Sequence, residues 1–497
     1  MEECVSRGLS SDLASLLRCE GLTSITLTRL DQLVTTSVSG SGFSRVLVVL
    51  KSLEVLCENR EDLQTLIHLG LTAKVVSWFS AIHQPLTSDL QRNAALLVNL
   101  TEGFYDYFLL LGQTSLPVSQ LSVVLLQLAR FALDQEIHFP LRLEAIRTFN
   151  SILEFLSREQ RRLIQMDQNQ TPILSQVAAA VLTVGDYELQ VSLSEALCRL
   201  TPRKEREHKA NQWFSCRDIS RSFCDIRDVD FEVDCRRFLN FVNSYHGEQR
   251  RVYTFPCLRA FLDSTELFRP KDEKLDEFWI DFNVSSGCVS FFVDEPQGFL
   301  WGSIHLLKEE VDRYSLHLKQ DGCTGAETVL SVQLNTPIMH QDSRGRTVEL
   351  NFDPEHHRDL EEAAGRVFMK VKSSSPLKAP GGTIQVSPSA DRLNGRCYGR
   401  KKPQSKSLLK ILPLSSPSSE DDTTVTKTPM SRAEFLFDQI IHSTPSYASG
   451  APVGAELENF KERTDEFGGK ISPLRKEVSS CDRKRGAAPD SGYLSDL

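Results

Sequence analysis

No stretch of this 497-residue chain is both uncharged and apolar for the length that a membrane-crossing helix needs. The nearest, VVLLQLARFAL, is interrupted by Arg130. The opening MEECVSRGLSSDL is acidic and poor in apolar residues, so it does not read as a secretory signal. The 12 cysteines are scattered from Cys4 to Cys481, and none forms a C-x-x-C pair. This spacing argues for reduced thiols in the cytosol or nucleus, against a disulfide framework and against a zinc site. The Asn99-Leu-Thr sequon is then a chance occurrence. Catalytic signatures are missing too: no G-x-x-x-x-G-K-[ST] phosphate cradle, no G-x-S-x-G elbow, no H-E-x-x-H metal helix. The adjacent pair His356-His357 falls in the first turn of a predicted helix. Neighbouring side chains there diverge by about 100°, so the two do not readily clamp one ion, and solvated helix-start residues are the plainer reading. No motif supports Cys–His catalysis. The expectation is a protein that is not an enzyme and that holds no cofactor or metal.

What is present is ordinary in bulk and uneven along the chain. Hydrophobic residues make up 40% and charged residues 25%, as in soluble globular proteins. The net charge of −9 hides a split: residues 1–371 carry 38 basic and 51 acidic side chains, residues 372–497 carry 19 and 15. An acidic body is a poor general binder of phosphate backbones. It suits basic partners such as histones, although a solvated surface accounts for the charge equally simply.

Residues 1–248 read as consecutive helices. Three apolar stripes recur at helical spacing: Val46, Val49, Leu50, Leu53 and Leu56; Leu143, Ile146, Phe149, Leu153 and Leu156; Leu189, Leu193, Ala196, Leu197 and Leu200. Breaks fall at Gly40–Gly42, Gly70, Pro85, Gly112–Pro117, Pro140, Thr171–Pro172, Gly185 and Pro202. Helix pairs of that size suit an armadillo-like solenoid, with an irregular bundle as the alternative, since no fixed sequence repeat is visible. At residues 249–371 the period changes to two. In EFWIDFN, Phe278, Ile280 and Phe282 point one way and Trp279, Asp281 and Asn283 the other. Similar alternation in CVSFFV, RYSLHLK, VLSVQL and RTVELNF predicts about seven strands of a small antiparallel sandwich or barrel. Asp353 and Pro354 then open a helix with Leu360, Ala364, Val367, Phe368 and Val371 on one face. Residues 372–497 are rich in Ser, Pro, Gly, Lys and Asp, and read as a disordered tail with short motifs.

GDYELQVSLSEALCRLT (185–201), NQWF (211–214), FEVDCRRFLNFVN (231–243), RRVYTFPCLRAFLD (250–263) and DEKLDEFWIDFN (272–283) carry a specific likeness. The chain resembles the N-terminal region of the synaptonemal complex protein 2 and 2-like family of meiotic chromosome-axis proteins. The likeness is close in the middle of the chain, looser over residues 1–180 and almost absent in the tail. It implies an armadillo-like domain followed by a pleckstrin-homology-like domain similar to the middle domain of the large subunit of the histone chaperone FACT. It implies residence on meiotic chromosomes in the nucleus, and a scaffold that binds chromatin or centromere proteins. It also implies a tail segment captured by a HORMA-domain protein, for which residues 400–414, 431–447 and 470–486 are candidates. The family's coiled coil, which assembles with synaptonemal complex protein 3, has no counterpart here: no heptads follow residue 372. That partner is expected only if a longer isoform supplies the coil.

The candidate site residues are therefore partner-binding ones. Trp213 and Trp279 stand near the junction of the two predicted units, where most large aromatics are core and an exposed one marks a patch. Leu408, Leu409 and Ile411 in one tail island, and Phe435, Leu436 and Ile440 in another, are apolar segments suited to folding on a partner. Two basic clusters, Arg400-Lys401-Lys402 and Arg483-Lys484-Arg485, fit nuclear import signals. Ser387, Ser416, Thr428, Thr444 and Ser472 precede proline and could take phosphate. Ser491 and Ser495 lie in a D-S-G-x-x-S pattern resembling a phosphodegron.

Overall fold

A computed structural model describes residues 1–88, 94–114, 116–294, 301–321, 325–341 and 343–368. The tail motifs named above, and Val371, lie outside the described residues.

Sixteen α-helices come first among the described residues. They are α1 (Glu2–Arg7), α2 (Ser10–Glu20), α3 (Ser24–Ser39), α4 (Phe43–Cys57), α5 (Arg60–His68), α6 (Leu71–Ala81), α7 (His83–Thr87) and α8 (Ala95–Gln113). There follow α9 (Val118–Leu133), α10 (Phe139–Phe155), α11 (Arg158–Met166), α12 (Gln170–Thr183), α13 (Tyr187–Leu200), α14 (Arg203–Trp213), α15 (Arg217–Cys224) and α16 (Phe231–Tyr245). Local signals set many boundaries. Thr23, Asn59 and Asp186 cap α3, α5 and α13 through their side chains, and Ser157 with Gln160 forms a capping box on α11. Pro140 sits in the first turn of α10, where its missing N–H costs nothing. Gly112, expected at a break, lies instead in the last turn of α8. A Cβ there would meet Ile152 at 2.9 Å, so the glycine serves the close approach of α8 to α10.

The helices stack in two rows. One row runs α3, α6, α9, α12, α14; the other α2, α4, α8, α10, α13, α16. The three apolar stripes are buried between them. The repeat that the sequence hides is visible in the bonds between successive units. Asp31 on α3 accepts from Lys74 (2.6 Å) and from the Trp78 indole (2.7 Å) on α6. Gln127 on α9 donates to Ser80 on α6, and Gln170 on α12 donates to Ser122 on α9. In the other row, Asn150 on α10 donates to the Ser192 carbonyl and the Glu195 carboxylate on α13. These partners are 42 to 48 residues apart, close to the roughly 40–47-residue period of armadillo units. The unit is armadillo-like, with a different residue pair at each joint.

Among the described residues eight strands follow: β1 (Val252–Leu262), β2 (Thr265–Leu267), β3 (Phe278–Asn283), β4 (Cys288–Asp294), β5 (Trp301–Leu307), β6 (Val311–Asp321), β7 (Gly325–His340) and β8 (Ser343–Phe352). All pairs are antiparallel, in the order β5-β4-β3-β1-β8-β7-β6, with β2 a short hairpin partner of β1. The sheet curls around a last helix, α17 (His357–Phe368). Phe278, Ile280 and Phe282 from β3 and Val348, Leu350 and Phe352 from β8 share one core with Leu360, Ala363, Ala364, Val367 and Phe368 of α17. Strand β6, which alternates most cleanly in sequence, is an edge strand: Tyr314 and Leu316 are only half-buried and Leu318 is 55% exposed. The two histidines at the helix start are half-buried rather than solvated. His356 packs 5.7 Å from the Phe255 ring, and His357 Nδ1 lies 3.3 Å from the Thr328 hydroxyl.

Candidate functional site

Much of the outer face of β3 and β4 is buried, and that of β5 is partly covered. This face lies on α13 and α16, and the joint is built largely from polar side chains. Asp281 and Asn283, expected to face away from the sheet core, do so, but into the helical unit, where both are buried. Arg236 on α16 reaches across to Asp281 with two hydrogen bonds, 2.7 and 3.0 Å, and both side chains are almost fully buried. The Thr254 hydroxyl of β1 donates to the same carboxylate at 2.8 Å. The Arg236 guanidinium also lies 3.5 Å above the Tyr187 ring, whose edge meets Phe292 of β4.

A second set of contacts comes from the turn into α13. The Tyr187 amide donates to Asn283 Oδ1 at 2.8 Å, and Asn283 Nδ2 donates to Ser290 Oγ. The Ser285 amide donates to the Gly185 carbonyl at 3.1 Å. Asp186, already capping α13, accepts from the Ser286 hydroxyl at 2.6 Å. Gly185 has φ +69°, and a Cβ on it would stand 2.2 Å from Ser285 Oγ. No side chain fits there. The third set is a charged chain: Arg147 on α10 bonds Glu188 on α13 at 3.0 Å, and Glu188 bonds His305 on β5 at 2.5 Å.

Burial and partners set the ionisation of this joint. Burial, with Glu188 nearby, pushes the Asp186 carboxyl up to about 6. Burial would raise Glu188 as well, but His305 and Arg147 overcome it and hold that carboxyl below its ordinary value. Burial disfavours the charged His305 ring, yet Glu188 raises its pKa overall. Burial likewise works against a charged Arg236, and Asp281 outweighs it. No cluster of three or more His, Cys, Asp or Glu side chains arranged as metal ligands occurs among the described residues.

Both halves of this joint have relatives. Residues 19–160 match the Synaptonemal complex 2 armadillo-repeat-like domain, and residues 252–370 match the Synaptonemal complex 2 Spt16M-like domain. A solved structure titled Synaptonemal complex protein superimposes with a TM-score of 0.60 at 30% identity, over 70% of this chain and 88% of that one. The chain belongs to the synaptonemal complex protein 2 family. Synaptonemal complex protein 2-like of Xenopus laevis is 36% identical over 360 residues, covering 71% of this chain and 36% of that protein. Synaptonemal complex protein 2 of Mus musculus is 29% identical over 479 residues, covering 91% of this chain and 31% of that protein. The chain thus spans about a third of the length of these relatives.

The segments that mark the family in sequence are largely the segments that make the joint. GDYELQV supplies Gly185, Asp186, Tyr187 and Glu188; FEVDCRRFLNFVN supplies Arg236; DEFWIDFN supplies Asp281 and Asn283. The two tryptophans singled out from sequence are not brought together by any contact seen here, and both are half-buried. Trp213 closes α14 with its ring edge-on to Phe223 at 6.1 Å. Trp279 stands on the outer face of β3 opposite Pro256. Sequence reasoning missed Arg236, Glu188 and His305. The one available signal was the charge in family motifs otherwise rich in apolar residues.

Proposed function

We propose that this protein is a non-enzymatic scaffold of the meiotic chromosome axis, the lateral element of the synaptonemal complex, resident in the nucleus. Family membership supports the synaptonemal complex role. The single observation that supports the scaffold reading is the polar joint: its buried bonds tie the solenoid to the sheet, so that the two would present different surfaces at once. The body would bind chromatin or centromere proteins. The tail would recruit a HORMA-domain axis protein through one of the segments 400–414, 431–447 or 470–486. Synaptonemal complex protein 3 would join only through a coiled coil on a longer isoform. Affinity capture from meiotic gonad extract, read by mass spectrometry, tests the division of labour. Residues 1–371 are expected to retain chromatin or centromere proteins and residues 372–497 the HORMA-domain protein. Loss of none of the three tail segments affecting HORMA capture would sink the tail assignment.

A second reading has its own support, the match of the sheet unit to an Spt16M-like domain together with the acidic body. In that reading the module is a histone-binding chaperone or adaptor without an axis role. Histone capture by residues 1–371 that fades steeply with salt, with no linear staining of meiotic chromosomes, would favour it.

A further inference from the structure

The joint takes up only part of the outer face of the sheet. Beside it runs an apolar strip whose exposure rises from 6% at Phe292 to 61% at Phe268. Phe292 on β4 and Trp279 on β3 are neighbours in register, and Pro256 on β1 stands opposite Trp279. Trp279 and Pro256 are half-buried. Alternation along β1 puts Leu258 on the same side as Thr254 and Pro256. Cys257 pairs with Phe352 and Arg259 with Asn351, so Leu258 is the extra residue of a bulge, and it is 55% exposed. β2 brings Phe268 alongside, because Leu267 pairs with Ala260 and the next residue comes level with Arg259. The Phe268 carbonyl accepts from the Asp294 amide at 2.9 Å, so its ring is displayed from a fixed backbone.

The charge around the strip is one-sided. Residues 258–279 hold four basic side chains, and all four are engaged. Arg259 pairs with Glu327 at 3.0 Å, Lys271 with Asp294 at 2.8 Å and Lys274 with Asp230, while Arg269 donates to the Leu275 carbonyl. In the same stretch Glu266, Glu273, Asp276 and Glu277 are exposed and make no ion pair among the described residues. Exposed apolar side chains rimmed by polar ones mark an interaction face, and the sign of the rim selects the partner. An acidic partner would set like charge against these carboxylates; a basic one neutralises them. We propose that Trp279, Leu258 and Phe268 take the apolar anchors of a basic segment of another protein, whose lysine or arginine side chains meet the four carboxylates. The scaffold reading names partners for the body but no surface. This inference supplies the surface and does not depend on which partner is captured there.

Fluorescence anisotropy on the full chain tests it with two labelled synthetic peptides of about twelve residues. Both carry one Phe and two Leu at the same positions; the remaining positions are mainly Lys in one and Glu in the other. The Lys peptide is expected to bind and the Glu peptide not. Leu258→Ser with Phe268→Ser, both at exposed positions, should weaken binding about tenfold or more. Glu273→Gln, Asp276→Asn and Glu277→Gln together should do the same. Asp12→Asn, Glu58→Gln and Glu61→Gln remove equal charge from exposed positions of the solenoid and should leave affinity within about twofold. Equal loss in the solenoid variant, or full affinity in the serine variant, assigns the binding to overall charge and overturns the proposal. No binding of the Lys peptide, or equal binding of the Glu peptide, also overturns it. So does a wild-type dimer by light scattering that the serine variant dissociates, because the face then belongs to a second copy.

Discussion

The solenoid and its joint to the sheet bury comparable neighbours by opposite chemistry. Between successive helical units the contact is an apolar stripe with one or two polar bonds per joint, such as Asp31 with Lys74 and Trp78. Between solenoid and sheet the contact is a row of charged and amide side chains with few apolar ones, chiefly Tyr187, Val252 and Phe292. Apolar burial is non-directional and tolerates small adjustments; a buried ion pair holds one geometry and penalises every other. The helical units are therefore held mainly by area, and the sheet is held in orientation.

The sharpest way to break that contrast is to remove one partner from the buried pair. Asp281→Ala leaves the Arg236 charge buried and unpaired, and is expected to cost about 3–5 kcal/mol in denaturant unfolding. The double replacement Arg236→Met with Asp281→Leu should recover most of that loss. A double variant as unstable as the single one would show that the pair is not held by mutual compensation. Next comes Gly185→Ala, expected to destabilise by about 2 kcal/mol or more because the backbone is left-handed and the Cβ meets Ser285. Its effect should appear first as faster hydrogen exchange in β3–β5, with α3–α6 unaffected.

The joint should also carry a pH dependence of its own, beside that of the Glu195 and Glu232 carboxyls in the solenoid, which burial raises. His305, its pKa raised, contributes fully below its unfolded value near 6.5, and the contribution is lost as pH rises through the folded value. Asp186, raised to about 6, acts in the same sense: its share is lost as pH rises from about 4 through 6. Glu188, held low, loses its share as pH falls through its depressed value. Melting temperature should therefore be highest in mildly acidic buffer and fall towards pH 8, and His305→Gln should flatten the fall. The smallest effect is expected in the solenoid. Lys74→Met removes one bond to a half-exposed Asp31 that keeps Trp78, a loss of about 1 kcal/mol by thermal melting.

The same contrast explains what could be read in advance. Leu189, Leu193, Ala196, Leu197 and Leu200 announce a helix face because apolar residues at a fixed period have only one use. The burial of all 14 residues of α13 was not announced. Glu188, Gln190 and Glu195 look like a solvated face, and beside the near partners Val181 and Arg199 each has a partner 41 to 117 residues away. Asp281 and Asn283 mislead for the same reason, since alternation separates two faces without saying which of them meets water. The repeat was hidden because each joint uses its own residue pair. For the site, the sequence nominated Trp213 and Trp279, which are both half-buried, while the charged and amide side chains of the joint carried no period that would have singled them out.

In the sheet's own register Asp281 stands beside Ser290 and Ser290 beside His305, so two of the anchors lie on a line across the strands. The third, Ser286, lies off that line, at the strand end. Three anchors that form a triangle block rotation about every axis, where two would leave a hinge. A cargo gripped by the sheet and another gripped by the solenoid would then sit at a set distance and angle. The module would act as a bracket that passes force from one to the other without bending.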